Sequence, residues 1–263
     1  ITGYSNTEVL GLQPEQFLYP SYTNSPLPAR LSELKASHWS GEVVCLRKDQ
    51  SAFPAWQHIC KVKSPQPGIQ DSHYVLTFSN ISALRRAEEN LATLAFSDHL
   101  TGLGNRMKLE KMLKTELVRA NRNQSMLGIL YLDLDGFKEV NDRFGHHVGD
   151  ELLIKVADVL NHCVRKSDTV ARFGGDEFVI LLTAMLDKDD AAIVAEKILL
   201  HLSTPLQLSA CSAQVGASIG IALYPDNGTD SQQMMKAADS LMYQAKQQGK
   251  GCYRFSQPGP TTH

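Results

Sequence analysis

The chain has 263 residues, 43% of them apolar, enough to bury one large core or two smaller ones. Its formal net charge at pH 7 is −2, from 26 Lys and Arg against 28 Asp and Glu. That balance shows no basic surplus for a nucleic-acid backbone or an anionic membrane, so any bound nucleotide is expected to be met by a few local cations and a metal. The five cysteines, Cys45, Cys60, Cys163, Cys211 and Cys252, are scattered with no Cys-x-x-Cys, which predicts a reducing, cytoplasmic setting. No apolar run approaches the roughly 18 residues of a membrane span, and no signal sequence is present. The first residue is Ile rather than Met, so an upstream segment is expected.

Residues 1 to about 84 are interrupted by prolines at 14, 20, 26, 28, 54, 65 and 67. Between them, β-type runs at Gly41 to Arg47, Ala55 to Val62 and His73 to Phe78 predict a small sheet. Ile1-Thr2-Gly3-Tyr4-Ser5, Glu8-Val9-Leu10-Gly11, Trp39-x-Gly41-Glu42-Val43 and the exit Asn80-Ile81-Ser82 together resemble a PAS sensor domain entered part-way, its first strands absent. Asn80 stands where that family usually has Asp. No cysteine has the setting that flavin-binding relatives use. His38, His58 and His73 read as surface or hydrogen-bonded core residues rather than haem ligands, which leaves the ligand of this module unknown. From Ser82 to Ser97, Leu84, Ala87, Leu91 and Leu94 recur at heptad-like spacing among Arg85, Arg86, Glu88 and Glu89. Such a linker helix, over about 85–97, either packs on its own domain or pairs in parallel with a second copy. Its position between a sensor-like module and an acidic segment favours pairing.

Asp98-x-Leu-Thr-Gly-Leu-x-Asn-Arg106 opens the second domain with a glycine-containing turn before a helix from about Met107 to Asn121. Leu127 to Asp135 reads as a strand, and period two places Asp133 and Asp135 on one face at its end. After Gly136, the segment Phe137-Lys138-Glu139-Val140-Asn141-Asp142 predicts a short helix whose free N–H groups face that strand end. Gly145-His146-His147-Val148-Gly149-Asp150 then leads into an amphipathic helix with Leu152, Leu153, Val156, Leu160 and Cys163 on its buried stripe. Asp150 reads either as the cap of this helix or as an acceptor for the paired N–H groups of guanine, to which Asn141 can add amide contacts.

Thr169 to Leu182 predicts a hairpin turned by Gly174-Gly175, with Phe178, Ile180 and Leu182 on one face of the second strand and Val179 and Leu181 on the other. Both faces are covered, so this strand is expected to be central. Its first two residues are the acids Asp176 and Glu177, on opposite faces, at a turn where glycine lets a ligand approach the backbone. Mg²⁺ prefers hard oxygen ligands and shares its shell with substrate phosphates, so Asp133 and Asp176 with a backbone carbonyl suit it, and Lys138 adds a point charge. Either acid pair alone also reads as a solvated strand end; side by side they read as a site. Downstream, a helix begins at Asp189-Asp190 and runs to about Leu202, a strand covers Gln214 to Tyr224, and a helix from Ser231 to Gln248 ends at Gly249. Lys246 and Lys250 flank that helix end, where a cation meets the C-terminal carbonyls favourably. Residues 257–263 are expected to form a flexible tail.

The runs Asp133-x-Asp135-x-Phe137-Lys138-x-x-Asn141-Asp142, Phe144-Gly145-His146, Gly149-Asp150, Arg172-x-Gly174-Gly175-Asp176-Glu177-Phe178 and Asp239-x-x-Met242-Tyr243-x-Ala245-Lys246 resemble, in order and spacing, a GGDEF-family diguanylate cyclase over residues 98 to about 256. The resemblance implies an α+β fold, a central mostly antiparallel sheet flanked by helices. It implies an enzyme that condenses two GTP into cyclic di-GMP and pyrophosphate with Mg²⁺, or Mn²⁺ in its place. By position, Asp133, the Leu134 carbonyl and Asp176 resemble the metal ligands, and Asp176 or Glu177 the acid that helps deprotonate the attacking 3′-hydroxyl. Phe137, Lys138, Asn141, His146 and Asp150 fall among the substrate-site positions, the last three at the guanine. Gly174 and Gly175 cover the phosphates, and Lys246 and Lys250 contact them. Lys250 replaces the family's usual arginine, a point charge for a bidentate fork, and Gly251 its usual asparagine.

Each domain holds half a site in this family, so the resemblance implies a homodimer whose encounter the PAS module and paired linkers set. Arg165 and Asp168, an Arg-x-x-Asp ending shortly before Gly174, resemble the family's inhibitory product-binding site; apart from the resemblance they read as a surface turn with a weak ion pair. The alternative function is a catalytically silent receptor for GTP or cyclic di-GMP, which would be expected to have lost at least one of Asp133, Asp176 and Glu177.

Overall fold

The computed structural model describes residues 1–19, 38–63, 72–209 and 211–255. They divide into two compact units, Ile1–Leu91 and Ala92–His263. Pro20, Pro26, Pro28, Pro65, Pro67 and the tail from 257 lie outside the described residues.

The first unit contains a short helix α1 (Asn6–Val9), a 3₁₀ turn (Pro14–Gln16) and an antiparallel sheet β1 (His38–Leu46), β2 (Ala52–Lys63), β3 (Ser72–Asn80), with β2 in the middle. All three strands run longer than their apolar runs predict, because ladder hydrogen bonds continue past the last apolar side chain. Pro54 does not break β2. It faces Val44 of β1 one residue before β3 begins to pair at Ala55, so its missing N–H is lost from no second ladder, and its carbonyl accepts the Ile81 N–H at 3.0 Å. Phe53, Ala55 and Ile59 alternate inward with Val43, Cys45, Leu18 and Tyr19 to form a small core. The buried Gln57 amide donates to the Tyr19 hydroxyl. His38, His58 and His73 are exposed, as expected.

Helix α2 (Ser82–Phe96) follows. Its Leu84 and Leu94 are 58% and 76% exposed, so they are not buried against the described residues of this chain; the Leu91 side chain lies outside them.

The second unit is built on a mixed five-stranded sheet in the order β10-β9-β4-β6-β5. Its strands are β4 (Met126–Asp135), β5 (Thr169–Gly174), β6 (Glu177–Met185), β9 (Gly216–Tyr224) and β10 (Tyr253–Phe255). Only the β10–β9 pair is parallel. A separate β7 (Leu206–Gln207) and β8 (Ser212–Ala213) form a two-stranded ribbon. β4 and β6 are central, as the two-faced apolar pattern of β6 predicts, and every residue from Leu127 to Leu134 is buried. Leu130, Leu132, Leu134, Phe178 and Ile180 pack on α5 (His146–Cys163) and α6 (Asp189–Leu202) on one side of the sheet. Leu127, Ile129, Tyr131, Val179 and Leu181 pack on α3 (Arg106–Asn123) and α7 (Ser231–Gln247) on the other. Asn105 caps α3 by accepting the Lys108 N–H, and Asp230 caps α7 by accepting the Gln232 and Gln233 N–H groups. The last element, α4 (Phe137–Phe144), leaves β4 through Gly136 at φ +85°, a turn that favours glycine. No helix of the described residues is long and apolar enough to cross a membrane.

Candidate active site

β4 is paired on both edges, which delivers Asp133 to a fixed place: opposite Glu177 of β6 and opposite Ser218 of β9. Directly opposed side chains on one face lie about 5 Å apart at Cβ, so Asp133 and Glu177 are neighbours. The hairpin differs from expectation in one respect. Gly174 pairs with Glu177, so the turn residues are Gly175 and Asp176, with Gly175 at φ +52°; Asp176 belongs to the turn rather than to the strand. Its carbonyl accepts the Leu134 N–H at 3.3 Å, which ties the turn to the end of β4. Leu134 is itself buried by its side chain and pairs with Ala217.

Asp133 is 9% exposed. Burial pushes its carboxyl above the ordinary carboxylate range; the Lys246 ammonium, 2.7 Å from Oδ2, pulls it back, and Asp176 and Glu177 push it up again. Asp133 and Glu177 thus face each other at one strand end with Asp176 in the adjoining turn, and Lys246 from the last turn of α7 pairs with Asp133. Among the described residues no three acid, histidine or cysteine side chains converge closely enough to enclose a metal by themselves.

Two clamps that sequence reasoning missed hold these groups. Arg172 donates from Nε and Nη2 to the Gly175 carbonyl at 2.9 and 2.7 Å, while its Nη1 lies 3.3 Å from the Asp98 carboxylate. Burial pushes Asp98 up, but the Thr101 hydroxyl and N–H and the Arg172 guanidinium outweigh it and hold the carboxyl below its usual range. Tyr131, two residues before Asp133 and so on the same face, donates its hydroxyl to Glu177 Oε2 at 3.1 Å. Burial raises that hydroxyl well above the tyrosine range and the Glu177 charge adds to it, so it remains a donor. The period-two pattern that placed Asp133 and Asp135 together could have found Tyr131 as well. Asp135 serves the scaffold. It accepts from the Ser218 hydroxyl at 2.9 Å and from the Gly251 N–H at 2.9 Å, fixing the loop that carries Lys250. Lys250 is exposed, at φ +64°, with its N–H on the Ala245 carbonyl.

A second group lies on α4 and α5. Phe137 is half-buried against the α5 side of the core, and Lys138 is exposed beside it. Asn141 packs on Gly149 so closely that a Cβ there would collide with the Asn141 amide oxygen, which is buried and has no hydrogen-bond partner among the described residues. Gly145 precedes α5, His146 is its first residue, and Asp150 follows one turn later. Asp150 is therefore not the cap: capping needs non-helical backbone at the helix boundary, and Asp150 is already inside. His146 and Asp150, four apart, share one helix face and are both exposed.

Arg165 and Asp168 do not pair through their side chains. Asp168 accepts the Arg165 N–H at 2.9 Å and the Thr183 N–H at 3.1 Å, closing the turn between α5 and β5. Arg165, Asp168 and Lys197 line a cavity of about 300 Å³ away from the acids.

Comparison with known proteins places this architecture. The sequence pattern of a family described as "Diguanylate cyclase, GGDEF domain" matches residues 95–252. The bifunctional diguanylate cyclase/cyclic di-GMP phosphodiesterase MucR of Pseudomonas aeruginosa is 47% identical over 174 residues, 66% of this chain and 25% of MucR. The chain thus spans about a quarter of that relative's length. The GGDEF domain of TpbB (YfiN) from the same organism superposes with a TM-score of 0.60 at 39% identity, covering 61% of this chain and 94% of that one. The coiled coil and GGDEF domain of DgcB from Caulobacter crescentus, crystallised in complex with c-di-GMP, gives a TM-score of 0.61 at 25% identity, covering 67% and 93%.

Proposed function

The chain belongs to the GGDEF diguanylate cyclase family, and on that premise we propose that it condenses two GTP into cyclic di-GMP and pyrophosphate. The observation that carries the reading is Asp133 standing opposite Glu177 at the end of β4, with Asp176 in the adjoining turn and Lys246 paired to Asp133. A silent nucleotide receptor has no need to keep three mutually repelling acids there. Asp133, the Leu134 carbonyl and Asp176 would hold Mg²⁺, or Mn²⁺, with the substrate phosphates completing the shell. When bound, the metal neutralises charge that develops on the α-phosphate. Glu177, or Asp176 beside it, accepts the proton of the attacking 3′-hydroxyl, and the Tyr131 hydroxyl keeps the Glu177 carboxylate aimed. The backbone of Gly174 and Gly175, held by Arg172, lies against the phosphates, while Lys246 and Lys250 supply positive charge. Asp150 accepts from the guanine N–H groups. The unpartnered Asn141 oxygen takes a third base donor, and His146, on the Asp150 face, borders the base.

Because each product needs two new phosphodiester bonds, two chains face each other, each with one GTP. The exposed Leu84 and Leu94 on α2 supply the seam for pairing, and the coiled coil of DgcB is a precedent in a relative. The three-stranded antiparallel sheet of the first unit is compatible with a PAS-type sensor placed ahead of that seam. The inhibitory product site assigned to Arg165 and Asp168 is supported by the cavity they share with Lys197, where Arg165 would offer a fork to phosphate. The Asp168 carboxylate is already engaged by Arg165 and Thr183, so it would have to exchange those bonds for guanine donors.

The deciding experiment is incubation with GTP or with ATP plus Mg²⁺ and identification of the product. Cyclic di-GMP from GTP supports the reading; binding of GTP without turnover would show a receptor instead. Arg165→Ala should relieve a product-dependent plateau without lowering the initial rate, and equal plateaus in both proteins would remove the inhibitory role.

A further inference from the structure

A cavity of about 560 Å³ lies on the α3/α7 side of the sheet, opposite to the face on which α5 packs. Its floor is the edge-to-face pair Tyr131 and Phe173, with ring centroids 5.7 Å apart, and Leu109, Leu113 and Met235 form apolar walls. The volume is in the range of small-molecule sites, and the lining sets five apolar side chains against seven polar or charged ones, so an occupant would have to offer both an apolar surface and polar groups.

The two ends of the cavity differ. Arg106, at the start of α3, and Asp239, on the part of α7 that leads toward Lys246 and Asp133, mark one end. Arg106 is committed there: it pairs with Glu110 at 2.9 Å and stacks over Phe173 at 4.7 Å. Lys114 lies eight residues further along α3, about 12 Å away at 1.5 Å per residue, and Ser231 lies eight residues back along α7 from Asp239. The far end thus combines Lys114 with the Ser231 hydroxyl and the Gln232 amide, and Lys236 stands on the same wall as Met235. With Arg106 balanced by Glu110, two lysines remain against one aspartate.

We propose that this cavity is an effector site for a planar, bicyclic or larger aromatic anion, and that its occupant acts on the active site by displacing Tyr131 from Glu177. The ring system lies on Tyr131 and Phe173, the anionic group meets Lys114 and Lys236, and a hydrogen-bond donor at the other end meets Asp239. The link to the chemistry is a single hydrogen bond: Tyr131 lines the cavity, and its hydroxyl donates to the Glu177 carboxylate. Tyr131 is here a positioning residue. The binding claim stands independently of the assigned reaction, while the coupling claim rests on the diguanylate cyclase reading.

The probe is anilinonaphthalene sulfonate, which carries a fused ring, one anionic group and one N–H donor, titrated by fluorescence into the full chain. Met235→Trp fills the cavity and Lys114→Glu with Lys236→Glu reverses its charge; each should weaken the saturable component by about tenfold or more, with unchanged thermal melts. Equal titrations in wild type and both variants would overturn the site. In GTP turnover, saturating probe should lower kcat in wild type and leave Met235→Trp unaffected. Tyr131→Phe should still bind the probe yet lose the response of kcat to it. A bound probe that leaves wild-type kcat unchanged would overturn the coupling. A wild type that turns over no GTP at all would instead defeat the cyclase reading, with the binding comparison still decided.

Discussion

At the scale of single residues, the site concentrates negative charge at one strand end, and this sets what substitutions should do. Asp176→Asn and Glu177→Gln remove charge at nearly constant volume, so each should abolish product formation while far-ultraviolet dichroism stays native; near-wild-type turnover in either protein would remove that residue from its role. Asp133 allows a pH argument. Its folded-state pKa is raised, so the native state holds the proton more tightly than the unfolded chain does, and stability falls as pH rises through that range. Asp133→Asn has no such loss. Melts in EDTA without nucleotide should show the variant gaining on wild type as pH rises from the ordinary aspartate range to neutrality, and a pH-independent difference would contradict the crowding. Removal of Asp133 also frees Lys246, which limits but does not reverse the gain.

At the scale of elements, the junction of α4 and α5 depends on the absence of a side chain at Gly149. A methyl group there meets the Asn141 amide, so Gly149→Ala should force α4 outward and weaken GTP binding together with stability. Asp150→Ala should separate the two effects. Because Asp150 lies inside α5 rather than at its cap, its loss should shift stability by less than about 0.5 kcal/mol, as at ordinary exposed positions, while GTP affinity drops. A loss of stability near the ~1 kcal/mol of a missing cap, with GTP binding intact, would restore the capping role. Phe178 has the opposite character. It begins the buried run of β6 directly after Glu177 and is fully enclosed, so Phe178→Ala should cost about 3–5 kcal/mol and disturb the hairpin with it.

For the molecule as a whole, the proposed reaction makes activity depend on chain concentration, because it requires two sites to meet. Leu84 and Leu94 are exposed in the single chain and cost little there if changed. Leu84→Glu with Leu94→Glu should leave the melting of each unit unchanged, shift sedimentation toward monomer and make the specific rate fall on dilution at higher concentrations than in wild type. Unaltered sedimentation would show that α2 is not the seam.

Much of this was legible in the sequence, for a physical reason in each case. Apolar runs on both faces of β4 and β6 could only be satisfied at the centre of a covered sheet, and strand period two put Asp133 and Asp135 on one face before any fold was known. Glycine at 136 and 175 marked turns because those backbone angles exclude most other residues. The pairing of residues distant in sequence was not legible. That Glu177 rather than Asp176 stands opposite Asp133 depends on a register one residue from the alternative, that Arg172 reaches Asp98 depends on where the chain returns, and that Lys246 reaches Asp133 depends on how α7 crosses the sheet. Local spacing determined which side chains were available and on which face of their own element. The packing of elements against each other decided which of them met, because charge and hydrogen bonding act across space and not along the chain.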